Sequence, residues 1–192
     1  MMTAQAVLDF WFGVPSDAEF GKTRAAWFRK DRNFDAAISN RFRLLVEHAL
    51  AGRLREWDAR PGSALARIVV LDQFTRNIFR DTAHSFAGDG LAVEAAQAML
   101  SRGCDATLLP VQRSFVYLPF EHAEDVALQD RSVALFSALA AQAPELHDML
   151  AYAHKHRDVI RRFGRFPHRN ACLRRRSTEQ ERDYLAQPGS GF

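Results

Sequence analysis

Apolar residues recur at three- and four-residue steps along nearly the whole chain, the spacing of a helix face turned to a core. Thr3 is placed to cap a first helix carrying Val7, Leu8, Trp11 and Phe12, which Gly13 to Pro15 end. Trp27 and Phe28 lie on a short second helix. Asn33 to Ala51 forms a long one through Phe34, Ile38, Phe42, Leu45 and Ala49, with Gly52 as its stop. Ser63 is expected to cap a helix running to about Arg80. Leu91 to Leu100 makes another, ending at Gly103. Pro110 opens a helix to Leu118, where Pro119 is expected to kink or interrupt it. The pattern resumes from Phe120 to Gln142. Pro144 opens a helix over Glu145 to Phe163 that Gly164 stops, and Ser177-Thr178-Glu179-Gln180 resembles a capping box for a last one. No segment alternates at period two for long enough to make a strand. The fold class expected is all-α, with residues 1–192 forming a single helical domain.

Composition adds little to this except for arginine. A chain of 192 residues with 15 phenylalanines and three tryptophans can fill a core without a disulfide or metal staple. Net charge is only +3, but all save Lys22, Lys30 and Lys155 of the 26 basic residues are arginine. Genome composition explains such a bias, and so does recognition of anions, since a guanidinium forks onto carboxylate or phosphate. Cys104 and Cys172 show no CxxC spacing and fit a reducing cytoplasm. Asp9 breaks the early apolar run, so no signal peptide is expected, and no apolar stretch reaches the length of a membrane span.

Unusual chemistry concentrates in three segments. The first, Leu71 to Arg80, places Asp72, Arg76 and Arg80 on one helical row and Gln73 and Asn77 on the next, after an apolar stretch through Leu65, Ile68 and Val69. A buried helix that turns polar on one side enters either a pocket or a polar network. Arg76, Asn77 and Arg80 are its candidate binding residues. The second segment sets Arg113 and Tyr117 one turn apart and then gathers Glu121, His122, Glu124 and Asp125. Such a group could bind a cation or raise a carboxyl pKa, yet it matches no metal motif, and no metal or cofactor is called for. In the third, Arg165, His168, Arg169 and Asn170 lie in a turn interleaved with Phe163, Phe166 and Pro167. Aromatic burial of that turn carries its polar groups inward, where they need partners. The economical arrangement has the acidic second segment facing the basic third.

The strings Asp72-Gln73-Phe74-x-Arg76-Asn77-x-Phe79-Arg80, Tyr117-Leu-Pro-Phe-Glu121-His122-x-Glu124 and Arg165-Phe-Pro-His168-Arg169-Asn170 resemble the motifs of a widespread bacterial family known as a domain of unknown function, number 924. The opening Val7 to Gly13, Ser177-Thr178-x-x-Glu181 and the closing Pro188-Gly189-Ser190-x-Phe192 are similar too, so the resemblance spans the chain. It implies a tetratricopeptide-like array of packed antiparallel helix pairs, and it brings no activity, substrate or cofactor. Four positions depart from the pattern: Thr75 stands for a usual Pro, Asp81 and Arg174 for a usual Gly, and Ala123 for a usual Ser. Ala123 argues against a serine nucleophile there.

On these residues the favoured reading is a ligand-binding helical module. An arginine-rich pocket of Arg76, Arg80, Arg113, Arg165 and Arg169 would take an anionic small molecule or an acidic peptide end, with Asn77, Tyr117, Glu121, His122 and His168 beside it. The alternative is a hydrolase or isomerase in which His122 or His168 acts with a neighbouring carboxylate, metal-assisted or not. Low net charge and the lack of a known motif speak against nucleic acid as a partner.

Overall fold

The computed structural model describes residues 2–191; Met1 and Phe192, the last residue of the closing motif, lie outside the described residues. Thr3 accepts a hydrogen bond from the Ala6 amide and starts α1 (Ala4–Phe12). Asp31 caps the two free amides that open α2 (Arg32–Leu50), whose predicted positions Ile38, Phe42, Leu45 and Ala49 are buried. The chain continues through α3 (Pro61–Val69), α4 (Thr75–Ile78), α5 (Asp89–Ser101), α6 (Pro110–His122), α7 (Val126–Gln142), α8 (His147–Phe163) and α9 (Glu179–Leu185). Short 3-10 turns join several of them, and no strand occurs among the described residues. Among the described residues no helix is long and apolar enough to cross a membrane.

Helix α3 is buried on every side from Ala64 to Val69, because α1, α5 and α6 all pack on it. Trp11, fully buried, anchors the core with ring contacts of 5.5–5.9 Å to Trp27, Phe34, Phe74 and Phe115. The main core draws on residues from Val7 to Ala153, and Val159, Ile160 and Phe166 form a smaller cluster near the C-terminal turn. Helices α6, α7 and α8 pack side by side in chain order, an arrangement compatible with paired helices.

Three boundaries differ from the sequence reading. Ser63 lies inside α3 rather than at its start: Arg60 holds the cap position, Pro61 fills the first turn, and the serine hydroxyl donates back to the Trp57 and Arg60 carbonyls. The helix expected to reach Arg80 instead opens into a π-turn over Val70–Phe74 before α4. At its end the Thr75 hydroxyl donates to the Leu71 carbonyl at 2.8 Å, the four-residue back-bond that threonine makes in helices. Pro119 does not interrupt α6, which passes through it to His122. Every residue from Ser114 to Glu121 is buried, and that packing outweighs one missing hydrogen bond. The break falls at Ala123, where Asp125 caps α7 by accepting from the Leu128 amide.

Candidate functional site

The π-turn carries Asp72 into the interior, where it is 1% exposed. An ionisable group so buried needs partners. His122 Nδ1 approaches Asp72 Oδ1 at 2.7 Å, Gln73 Nε2 donates to Oδ2 at 2.6 Å, and Arg76 lies 3.2 Å from Oδ1. Burial raises the Asp72 pKa, but the charge of Arg76 and the contacts of His122 overcome it and hold the carboxyl well below the usual range. An ionised carboxylate only accepts, so Nδ1 carries the proton and donates, which leaves the lone pair on Nε2. No described residue hydrogen-bonds Nε2. Burial lowers the His122 pKa more than Asp72 raises it, and the ring is neutral at physiological pH.

The backbone around His122 is fixed as firmly as its ring. The Gln129 amide, fully buried on α7, donates to the Glu121 and Ala123 carbonyls at 2.6 and 2.8 Å. These are among the orphan carbonyls that every helix end must satisfy. Arg169 Nη2 donates to the His122 carbonyl at 2.9 Å, while its Nη1 reaches Asp89 at 3.1 Å. Asp89 also meets Arg76 at 2.8 Å, so one carboxylate joins a guanidinium of the first segment to one of the third. The Arg169 plane lies 4.5 Å from the centres of both the Phe86 and Phe166 rings. Burial and the nearby Arg76 bring its pKa down to about 10.

Behind His122 lies a second pair. Glu121 Oε1 stands 3.2 Å from His156 Nδ1, both side chains are nearly inaccessible, and the two imidazoles are 6.2 Å apart. Burial, reinforced by Asp72, pushes the Glu121 pKa well up, and burial pushes His156 down to about 3. Both shifts disfavour the charged forms of the pair. His168 packs against Phe166 at 5.5 Å, and burial and Arg169 take it down to about 4.

His122 and Arg169 border a cleft of about 370 Å³ lined by Phe86, Val93, Leu128 and Leu173 together with Asp89, Gly90, Ala123 and Glu124. The acidic and basic segments do meet here: Glu124 binds Arg175 through both oxygens, at 2.6 and 2.9 Å, and accepts from the Phe166 amide. The arginines expected to share one pocket do not. Arg80 and Asn77 converge on Asp35 at 2.8 Å, because the chain leaves α4 at Ile78 and the row beginning at Asp72 ends there. Arg113 and the Asp105-bonded Tyr117 join at 3.0 Å, and burial with Asp105 lifts the phenol to about 12. Arg165 binds Glu181 at 2.6 Å, which also closes the capping box of α9 with Thr178. Of the predicted residues, His122 and Arg169 line the cleft, Arg76 joins them through Asp72 and Asp89, Glu121 pairs with His156 and His168 packs on Phe166. The sequence does not single out Asp89, Phe86 and Gln129, since no local pattern distinguishes a bridging aspartate, a ring under a guanidinium or a buried amide from ordinary helix residues.

A helical protein that sets an aspartate-bonded imidazole in the lining of a small cleft defines the class. The chain belongs to the DUF924 family of bacterial proteins of unknown function, whose model matches residues 7–189. It is similar to a solved protein of unknown function from Agrobacterium tumefaciens, with 41% identity over 95% of this chain and 96% of that one and a TM-score of 0.82. No curated protein matches it.

Proposed function

We propose that the protein is a hydrolase in which His122, oriented by Asp72, acts as general base on water bound in the cleft. The observation that carries this reading is the 2.7 Å His122–Asp72 pair, whose unbonded Nε2 belongs to a ring lining the cleft. Water supplies the nucleophile because Ala123 stands where a hydroxyl would otherwise be. As Nε2 takes a proton, the water oxygen bonds to the substrate carbonyl carbon and the carbonyl becomes an oxyanion. When that oxyanion collapses, the bond to the leaving group breaks, and the imidazolium returns the proton to the departing oxygen.

Charge favours this reading over an anion clamp. The guanidinium that lines the cleft and those next to its lining carboxylates are already paired: Arg169 shares Asp89 with Arg76, and Arg175 holds Glu124. An isomerase would want a second, protonated acid at the substrate. The lining carboxyl groups are instead ion-paired, and burial of Glu124 is outweighed by Arg175 and the Phe166 amide, which lower its pKa. The free thiols of Cys104 and Cys172 accord with work in a reducing cytoplasm.

p-Nitrophenyl acetate and butyrate test the proposal. Wild-type protein should hydrolyse them with a pH profile rising through one group below the ordinary histidine pKa. His122→Gln should lose at least about 100-fold and Asp72→Asn a comparable amount, as expected for a positioned base and its orienting partner. Equal rates for wild type and His122→Gln would overturn it.

A further inference from the structure

A general base works while its lone pair is aimed at the water it activates, and the backbone that carries the ring sets that aim first. The direction of a Cα–Cβ bond follows from the two planar peptide units that flank the Cα. At His122 the carbonyl of each unit is held by a side chain from another element. Gln129 Nε2, on α7, donates to the Glu121 carbonyl at 2.6 Å, and Arg169 Nη2, from the C-terminal turn, donates to the His122 carbonyl at 2.9 Å. Gln129 also donates to the Ala123 carbonyl at 2.8 Å, where the chain turns out of α6. Its side chain is fully buried, and its Oε1 has no hydrogen-bond partner among the described residues. Both protons of this amide are therefore committed to peptide groups on either side of the base. Leu128, the residue before it, lines the cleft, so one clamp sets the base and a cleft wall in register. The ring itself is hydrogen-bonded through Nδ1 to Asp72 at 2.7 Å, a contact that a modest rotation of the Cα–Cβ bond would open.

We propose that Gln129 is a positioning residue for the base: by holding the carbonyls on either side of His122 it keeps the imidazole on Asp72 and Nε2 in the cleft. The proposal rests on the general-base reading, and the tautomer of His122 links the two. A neutral imidazole turned away from Asp72 loses the partner that pins its proton to Nδ1, and the Nε2–H form then competes. That form has no lone pair on Nε2 and cannot take a proton from water. A side chain that merely capped α6 would affect stability and leave the ring unchanged.

Two variants of the full-length protein, labelled with ¹⁵N-histidine, test this beside wild type. Gln129→Met is close in shape and has no donor; Gln129→Asn keeps the amide but draws it back by one methylene. His122→Gln assigns the ring signals of residue 122. Wild type should show Nδ1–H and a bare Nε2 at neutral pH, and in both variants the Nε2–H form should gain at its expense. Measured well below the melting midpoint, kcat for p-nitrophenyl butyrate should fall about 30-fold in Gln129→Met with KM within about twofold, the scale of a misplacement of about 1 Å. Gln129→Asn should fall less, and it carries the comparison where Gln129→Met does not fold. Ring signals identical to wild type in a folded variant, with only the melting midpoint lowered, would overturn the proposal. Failure of the base reading shows differently: His122→Gln would then turn over the ester as wild type does, while the ring signals still report whether Gln129 holds the imidazole on Asp72.

Discussion

Gly88 is pressed against the main-chain carbonyl of Leu71, so closely that a Cβ at residue 88 would overlap the Leu71 oxygen. Each partner precedes a carboxylate of the candidate site: Leu71 comes before Asp72, and Gly88 before Asp89. The contact therefore fixes the spacing across which Arg76 reaches both carboxylates, at 3.2 and 2.8 Å. The obstructing atoms are backbone and cannot swing away. Gly88→Ala should lower stability by about 2 kcal/mol, as overpacking does, and the thermal midpoint by several degrees. A melt of the variant within a degree of wild type would refute the tight approach.

Asp81 and Arg174 are the two described non-glycine residues with positive φ, at 63° and 54°. Both stand where the family resemblance implies glycine. Arg174 has a Cβ to accommodate in the left-handed region, and no described contact of its side chain offsets that strain. Arg174→Gly should raise stability by about 1 kcal/mol, whereas Asp81→Gly should gain less, because aspartate tolerates this conformation better. Chemical denaturation of the two variants checks both the sign and the order.

Those positions also mark how much of the molecule is legible in its sequence. Helix periodicity locates α1, α2, α5 and α8 within a few residues, because each has an apolar face that the core demands. It fails at Val70–Phe74, where a π-turn keeps the same hydrogen-bonded look while rotating everything after it. A row drawn from Asp72 to Arg80 assumes an even 100° step, and so sends Arg80 to the wrong partner. The three polar segments are legible as segments, because runs of polar residues among aromatics stand out. Their pairing is not, since the Asp72–His122 contact spans 50 residues and nothing local encodes it.

Buried neutral imidazoles make stability depend on pH. His156 and His168 titrate near 3 and 4 in the fold, against about 6.5 in an unfolded chain. Below pH 6.5 the unfolded state therefore binds more protons, and stability present at neutral pH is lost as the pH falls toward 4. His122, also lowered, acts in the same sense. Glu121 acts oppositely, since its raised pKa favours the protonated fold, and Asp72 and Glu124 matter only below about pH 4.5. The histidines outnumber the opposing acid in this window. A net loss of about 2 kcal/mol is expected between pH 7.5 and 5.5, where each titrating group is limited to about 1.4 kcal/mol per pH unit. His168→Gln should flatten the slope of melting temperature against pH; a midpoint that holds steady or rises on acidification would contradict the assignment.

Arg169 is the residue on which the three segments converge, and a lysine cannot replace it. Its fork binds the Asp89 carboxylate and the His122 carbonyl at once, while its plane lies between the Phe86 and Phe166 rings. An ammonium offers neither the fork nor the flat faces. Arg169→Lys should cost about 2–3 kcal/mol, the range for losing a hydrogen bond to a buried charged group. Ester turnover should fall as well, even under conditions where the variant remains folded. Unchanged stability would mean that Asp89 finds Arg76 sufficient.

Ala123 offers the sharpest separation between water and a side chain as nucleophile. It follows His122, lines the cleft and stands where the family resemblance places serine. Were acyl transfer to run through a hydroxyl at this position, the present chain would lack its nucleophile, and Ala123→Ser would create one beside a prepared base. Were water the nucleophile, the added hydroxyl would at most displace a solvent molecule. The φ and ψ of residue 123, −77° and 137°, are ordinary extended values that serine adopts freely, so the substitution tests chemistry rather than folding. With water as nucleophile, turnover of p-nitrophenyl butyrate should change less than about threefold, well short of the 100-fold scale on which positioned catalytic groups act. Intact-mass spectrometry during turnover should find no acylated protein. An acyl adduct on the hydroxyl introduced by Ala123→Ser, accompanied by a burst of nitrophenol, would show instead that the site is built for covalent catalysis and that this chain has lost the means to perform it.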